Sequence, residues 1–160
     1  MASSKGSGGQ QIDITQLPAA QLNQLSQQLE QEIEFFGNSL NQLKVAQTKF
    51  MESEECVSRV NPESKGKPIL VPLTSSMYVP GELSNVESVL VDIGTGYYVD
   101  MSPAKAKDYF SRKVDFITKQ MEKIQPVLQD KYRTKQMVVE VLQMKVSQQM
   151  AAQHKEGGGS

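Results

Sequence analysis

ILVPLTSSMYVPGELSNVESVLVDIGTGYYV, residues 69–99, differs in character from everything on either side of it. Its apolar residues come in short runs, at 69–73, 77–79, 89–93 and 97–99, rich in β-branched and aromatic side chains. Thr74-Ser75-Ser76, Pro80-Gly81 and Gly94-Thr95-Gly96 separate them. Short strands punctuated by turn residues predict two β-hairpins. Val89, Val91 and Ile93 alternate with Leu90 and Asp92, which predicts one strongly apolar face.

Outward from this centre the period changes from two to seven. On the N-terminal side Leu22, Leu29, Phe36, Leu43, Phe50 and Val57 recur every seventh residue, with Ile33 and Leu40 on a second track. That is the seam of a coiled-coil helix. Ser26, Gln47 and Glu54 fall on the same second track, so it is mixed. Thr15 is the expected cap, Pro18 lies in the first turn, and Asn61-Pro62 ends the helix.

On the C-terminal side Ser102-Pro103 opens a second helix. Phe110, Val114, Ile117, Met121, Ile124 and Leu128 alternate spacings of four and three. Pro126 lies within this helix and is expected to kink it or remove a hydrogen bond. Past it, strict register puts Lys131 and Lys135 in the seam. Tyr132, Val139 and Val146 suggest instead a shift of about four residues.

The resulting division is 1–11, a Ser/Gly/Gln-rich tail; 12–61, the first coiled-coil helix; 62–101, the two hairpins; 102–152, the second helix; and 153–160, a polar tail ending GGGS. The fold class is α+β, mainly α: a long antiparallel two-helix coiled coil joined by two β-hairpins that oligomerise into a β-barrel platform.

Charge supports antiparallel pairing. Residues 13–61 hold seven acids and three bases, while residues 103–150 hold five acids and ten bases. With Val60 near Ala106 at the base, Glu30, Glu32 and Glu34 face Lys131, Arg133 and Lys135, and Glu52, Glu54 and Glu55 face Arg112 and Lys113. Such pairs set partner and orientation while the apolar seam supplies most of the stability.

No enzyme chemistry is legible. The one cysteine, Cys56, cannot close a disulfide within the chain, and the one histidine, His154, lies in the polar tail, so no metal set or general base emerges. GTGYYV lacks the third glycine, the lysine and the helix start of a phosphate loop. A net charge of -1 and no aromatics interleaved with the bases argue against nucleic acid. No apolar run approaches the roughly 18 residues of a membrane span. The expectation is a soluble protein without cofactor, in the cytoplasm and also admissible in the nucleus. A four-strand centre with open edges and one apolar face is marginal alone, so it is expected to pair across chains.

LVPLTSSMYVPGEL (70–83), VLVDIGTGYYV (89–99) and KQMEKIQP (119–126) resemble the α class of prefoldin subunits. Two hairpins fit that class, since β-class subunits have one. The resemblance implies a heterohexamer of two α-class and four β-class subunits, a double β-barrel platform carrying six coiled-coil arms. It implies capture of unfolded actin, tubulin and similar clients at the arm tips, and transfer to the cytosolic chaperonin without ATP. The platform then maps to Leu70, Val71, Leu73, Met77, Tyr78, Val79, Val89, Val91, Ile93, Tyr97 and Val99. The tips map to Leu17, Leu22 and Leu25 on the first helix and Met144, Val146 and Met150 on the second. The rival reading is a coiled-coil scaffold or tether without client binding, whose helix ends would be sealed or polar.

Overall fold

The computed structural model describes residues 13–156, with side chains through Gln153. The tail expected at 1–11 and the final GGGS lie outside the described residues. Element order is helix, hairpin, hairpin, helix: α1 (Ala19–Ser58), β1 (Pro68–Pro72), β2 (Tyr78–Glu82), β3 (Val89–Gly94), β4 (Tyr97–Met101) and α2 (Pro103–Glu156). The chain forms two compact parts. One comprises residues up to Asn38 and from Gln125 onward, and the other is Ser39–Ile124.

In the first part α1 and α2 run antiparallel. Leu22, Leu29, Val138 and Val141 form its core, with Ile14, Leu17, Leu25 and Leu142 packed against them. A short 3-10 turn, Ile14–Gln16, precedes α1. Its cap is Asp13, not Thr15: Asp13 Oδ1 accepts from Thr15 N at 3.0 Å and from Thr15 Oγ1 at 2.6 Å. Helix α1 therefore starts later than residue 12. Pro18 supplies its first carbonyl, which accepts from Leu22 N at 3.0 Å.

Past Pro126 the strict heptad persists, and the expected register shift does not occur. Leu128, Lys131, Lys135, Val138, Leu142 and Lys145 are all buried or half-buried, whereas of the alternative stripe Tyr132 and Val146 are exposed and only Val139 is half-buried. Two lysines occupy a seam because each finds an acid on α1. Lys131 Nζ donates to Glu32, and Lys135 Nζ donates to Glu30 at 2.9 Å. Lys131 also sits 5.7 Å from the centre of the Phe36 ring. Long stems cover the seam while the ammonium groups reach its rim. Pro126 does not end α2. It is exposed, as is Glu122, whose carbonyl it deprives of a donor, so the lost hydrogen bond falls on the solvent side of the helix. The helix also continues to Glu156, beyond the expected tail boundary at 153.

The second part holds the hairpins and the helix segments beside them. Val91, Ala106 and Phe110 are its buried cluster, and Phe50, Val57, Val89, Met101 and Tyr109 pack on it. The Phe50 and Phe110 rings are 6.2 Å apart. Gln47 Nε2 donates to Thr118 Oγ1 at 2.7 Å, a polar rung where the second track is mixed. The expected pairing of Glu52, Glu54 and Glu55 with Arg112 and Lys113 is not formed. Arg112 instead binds Asp108, and Glu55 binds Arg59, each pair four residues apart in the chain. Helix α1 ends at Ser58, and buried Ser64 closes the exit by donating to Arg59 O at 2.9 Å. At the start of α2, Ser102 Oγ accepts from Lys105 N at 3.4 Å, as the Ser-Pro pair predicts.

Each hairpin is a separate two-stranded antiparallel sheet. Pro80-Gly81, expected as a turn, lies inside β2: Pro80 pairs with Leu70 and Gly81 with Ile69. Tight packing brings only ordinary contact there, since a Cβ on Gly81 would meet Val71 Cγ2 at 3.6 Å. The second hairpin closes through Thr95 (φ 53°) and Gly96 (φ 79°), both left-handed, as a two-residue primed turn requires. Ile93 is an extra residue in β3, since Asp92 pairs with Tyr98 but Gly94 with Tyr97. The bulge turns Ile93 off the face of Val89 and Val91, so the three do not align as the alternation predicts.

The cross-helix ion pairs are testable. The Lys131 hydrogen bond, and after it the Gln28 amide, holds the Glu32 carboxyl below its usual range. A depressed folded-state pKa adds stability above the unfolded pKa and loses it as pH falls through the folded value. Thermal melts of the chain should therefore show a contribution from Glu32 that disappears on acidification below the ordinary carboxylate range. Glu32→Gln should flatten that part of the profile. Reversing Glu30 and Glu32 to lysine should lower the melting temperature, and reversing Lys131 and Lys135 to glutamate in the same chain should restore part of the loss.

Candidate functional site

Exposed apolar side chains gather on two surfaces, with others such as Phe35 and Phe116 scattered along the helices. The first is the pair of hairpins. β1 and β2 are exposed on both faces, with only Gly81 half-buried. Ile69, Val71 and Val79 lie on one face, and Leu70 and Tyr78 on the other, by the pairing Val71–Val79 and Pro72–Tyr78. Leu70 is 69% exposed, and Leu73 and Met77, which flank the loop between the strands, are exposed as well. Leu73 N donates to Met77 O at 2.8 Å, so that loop is closed by its own backbone and still leaves both side chains outward.

The second hairpin divides its residues between two tasks. Val91, 4% exposed, belongs to the chain's own core against Ala106 and Phe110, and Val89 packs beside it. These two are not open for a neighbouring subunit, contrary to the reading of the sequence, because α2 already covers that face. Ile93, Tyr97 and Val99 remain more than a third exposed. The opposite face carries Leu90, 68% exposed, and Tyr98, both missed by sequence reasoning. The alternation itself held the signal: if Val89 and Val91 face the helices, Leu90 must face away. A cleft of about 520 Å³ lies where β3 meets the two helices, floored by Phe50, Val91 and Phe110 and rimmed by Lys49 and Lys113.

The second surface is the end of the helix pair where α1 begins. Here the two strands of the seam behave differently. Leu22 is 0% exposed, and Leu17 and Leu25 pack against the cluster it forms with Leu29, Val138 and Val141. Leu22 is therefore sealed and Leu17 and Leu25 are half-buried, because the 3-10 turn lays Ile14 and Leu17 over the seam. They do not form the open clamp that their positions suggest. Lys145 Nζ donates to Leu17 O at 2.7 Å, before the first residue of α1. Helix α2 then runs on through Glu156 with no turn of α1 opposite it. Val146 and Met150 sit on this stretch and Met144 just before it; all three are exposed, Met150 by 63%. A shallow depression on the same helix is lined by Glu140, Gln143, Met144, Ser147 and Gln148.

Among the described residues no group of histidine, cysteine, aspartate or glutamate is arranged to hold a metal, and no helix is long and apolar enough to cross a membrane. Cys56 is exposed and free.

The profile of the prefoldin subunit family matches residues 29–148. Human prefoldin subunit 5 is 55% identical over 139 residues, covering 87% of this chain and 90% of that protein, and the mouse protein is equally similar. A probable prefoldin subunit 5 of Drosophila melanogaster is 42% identical over 134 residues, 84% of this chain and 80% of its own length. Among solved structures, a chain of the filamentous PFD of Methanocaldococcus jannaschii superposes with a TM-score of 0.64 at 15% identity. That match covers 74% of this chain and 98% of the other, and it establishes likeness of fold.

The two kinds of apolar residue at the helix end are separable by mutation. Leu22→Ala should destabilise the chain by about 2–5 kcal/mol through a cavity in its core. Met150→Ser, at an exposed position, should change stability by no more than about 0.5 kcal/mol. Thermal denaturation of both variants distinguishes them; equal losses would mean that Met150 is packed too.

Proposed function

The chain belongs to the prefoldin subunit family, and on that premise we propose that it is a holdase subunit of the cytoplasm that joins other prefoldin subunits through its hairpins. Prefoldin subunits are chaperones and not enzymes. The assembly in this reading is a hexamer of two α-class and four β-class subunits. Its clients are unfolded chains such as nascent actin and tubulin, which pass to the cytosolic chaperonin without ATP.

One observation carries the client reading: among the described residues α2 outruns α1, and Met144, Val146 and Met150 are exposed at that end. Methionine suits such a surface, since an unbranched, polarisable side chain adapts to many apolar shapes. Gln143, Gln148 and Gln149 surround these residues with polar but uncharged groups, so the end stays wet without repelling a client of either charge. One such end binds weakly. Several on one assembly hold a single unfolded chain with avidity, about 10²–10⁴-fold tighter than one end alone. Release needs no nucleotide, because a receiver that binds the client more tightly withdraws it.

A scaffold would have a sealed or polar end, and the exposed α2 turns favour the holdase. The test replaces Met144, Val146 and Met150 with serine in the assembled hexamer and measures suppression of aggregation of chemically denatured actin. Weaker suppression is expected, with the hexamer intact by native mass. Undiminished suppression by an intact hexamer would remove this helix end from client binding.

A further inference from the structure

Charge is nearly absent around the end of the helix pair. From Ile14 to Leu29 the chain carries no charged residue, and from Gln136 to Ala151 it carries two, Glu140 and Lys145. The two are placed differently. Lys145 Nζ donates to Leu17 O at 2.7 Å, on the side of α2 that faces α1. Glu140 is exposed, and among the described residues its carboxylate is bonded only by the Gln136 amide, at 3.4 Å. The next charge back along that side of the helix is Arg133, seven residues away and so about 10.5 Å along the axis.

Helical spacing decides what surrounds the Glu140 carboxylate. Val138 and Val141 are in the core, with Leu142 packed on it. Residues three and four positions from Glu140 share its outward face. Two of them are methionines: Met137, 44% exposed, and Met144, 58% exposed. Ser147 and Ala151 continue the same line and are exposed. A depression of about 500 Å³ lies beside it, lined by Glu140, Gln143, Met144, Ser147 and Gln148. This ridge does not depend on α2 outrunning α1. Met137 adjoins Val138, which packs with Leu22 and Leu29, so both helices are still present there. Val146, six residues past Glu140, lies off the ridge.

We propose that this outer ridge of α2 is a client seat, and that it selects unfolded segments in which a lysine or arginine lies between two bulky apolar residues. This rests on the holdase reading above and adds Met137, Glu140 and the class of segment. Met137 and Met144 stand about 10.5 Å apart along the helix. An extended chain covers that distance in about three residues. An apolar residue on each methionine therefore leaves the intervening side chains over Glu140. Methionine adapts to whichever apolar shape arrives, and a long basic side chain lays its stem on the methionines while its head meets the carboxylate. An acidic residue at that place is repelled. One exposed ion pair biases affinity by at most about fivefold, so the seat sorts segments and stays tolerant of sequence.

The test uses the assembled hexamer with methyl-labelled methionine in this chain alone. The probes are two synthetic unstructured peptides with the same leucines and phenylalanines, one with lysines between them and the other with glutamates. The Met137 and Met144 methyl signals should shift on addition of the lysine peptide, while half-buried Met121 stays still. The lysine peptide should bind up to about fivefold more tightly than the glutamate peptide. Glu140→Gln should erase that preference and Glu140→Lys should reverse it, with the hexamer intact by native mass. A Met137 signal that stays fixed while those of Met144 and Met150 move would refute the ridge and leave the holdase reading standing. Stillness of all three would remove this helix end from client binding. Equal affinity for the two peptides, or a preference unchanged in Glu140→Lys, would refute the basic class of segment.

Discussion

A two-stranded ribbon cannot hide two apolar faces, and this chain contains two such ribbons. The second hairpin solves half of the problem internally by laying Val89 and Val91 on Ala106 and Phe110. The first solves none of it: Ile69, Val71 and Val79 on one side and Leu70 and Tyr78 on the other all remain in the open. Burying one such side chain is worth about 1.5–3 kcal/mol. The exposed set is thus a standing drive toward association, larger than any surface ion pair in the molecule. Pro68 and Pro72 in β1 and Pro80 in β2 interrupt the edges of the first hairpin and act as the counterweight, since an apolar ribbon with free edges is also a template for unspecific strand pairing.

The helix pair obeys a different rule. Its seam is apolar where both tracks are apolar and is completed by polar rungs elsewhere: Gln47 with Thr118, Lys131 with Glu32, Lys135 with Glu30. Each rung contributes little stability, yet a register slip would strand its members against apolar neighbours. The lysines thus choose which of two competing stripes on α2 faces α1. The compact parts divide beside Gly37 in α1 and Pro126 in α2, the two residues within these helices least suited to helical geometry.

The proposed client surface depends on unequal helix lengths. A coiled coil buries its seam only while both helices continue. Helix α1 begins at Ala19, behind a 3-10 turn that folds Leu17 over the core, whereas α2 extends eleven residues past Lys145. The same local device, Asp13 capping Thr15 ahead of Pro18, both stops α1 and covers its leucines. What remains adhesive lies on one helix only.

Much of this was legible in the chain itself. Seven-residue spacing placed Leu22, Leu29 and Phe50 on a seam, Ser102-Pro103 marked a helix start, and Gly94-Thr95-Gly96 marked a hairpin turn. Periodicity, caps and left-handed turns are properties of neighbouring residues, so they need no knowledge of the fold. The sequence also offered two stripes on α2, Lys131 with Lys135 or Tyr132 with Val146, and nothing local separates them. Only the tertiary structure decided, because the choice rests on Glu30 and Glu32, about a hundred residues away in the chain. The same holds for Val91, which faces its own helices and not a neighbour, and for Leu22, which is sealed and not presented. Which face of a strand or end of a seam is covered depends on what arrives from elsewhere in the chain, and that is settled by non-local packing.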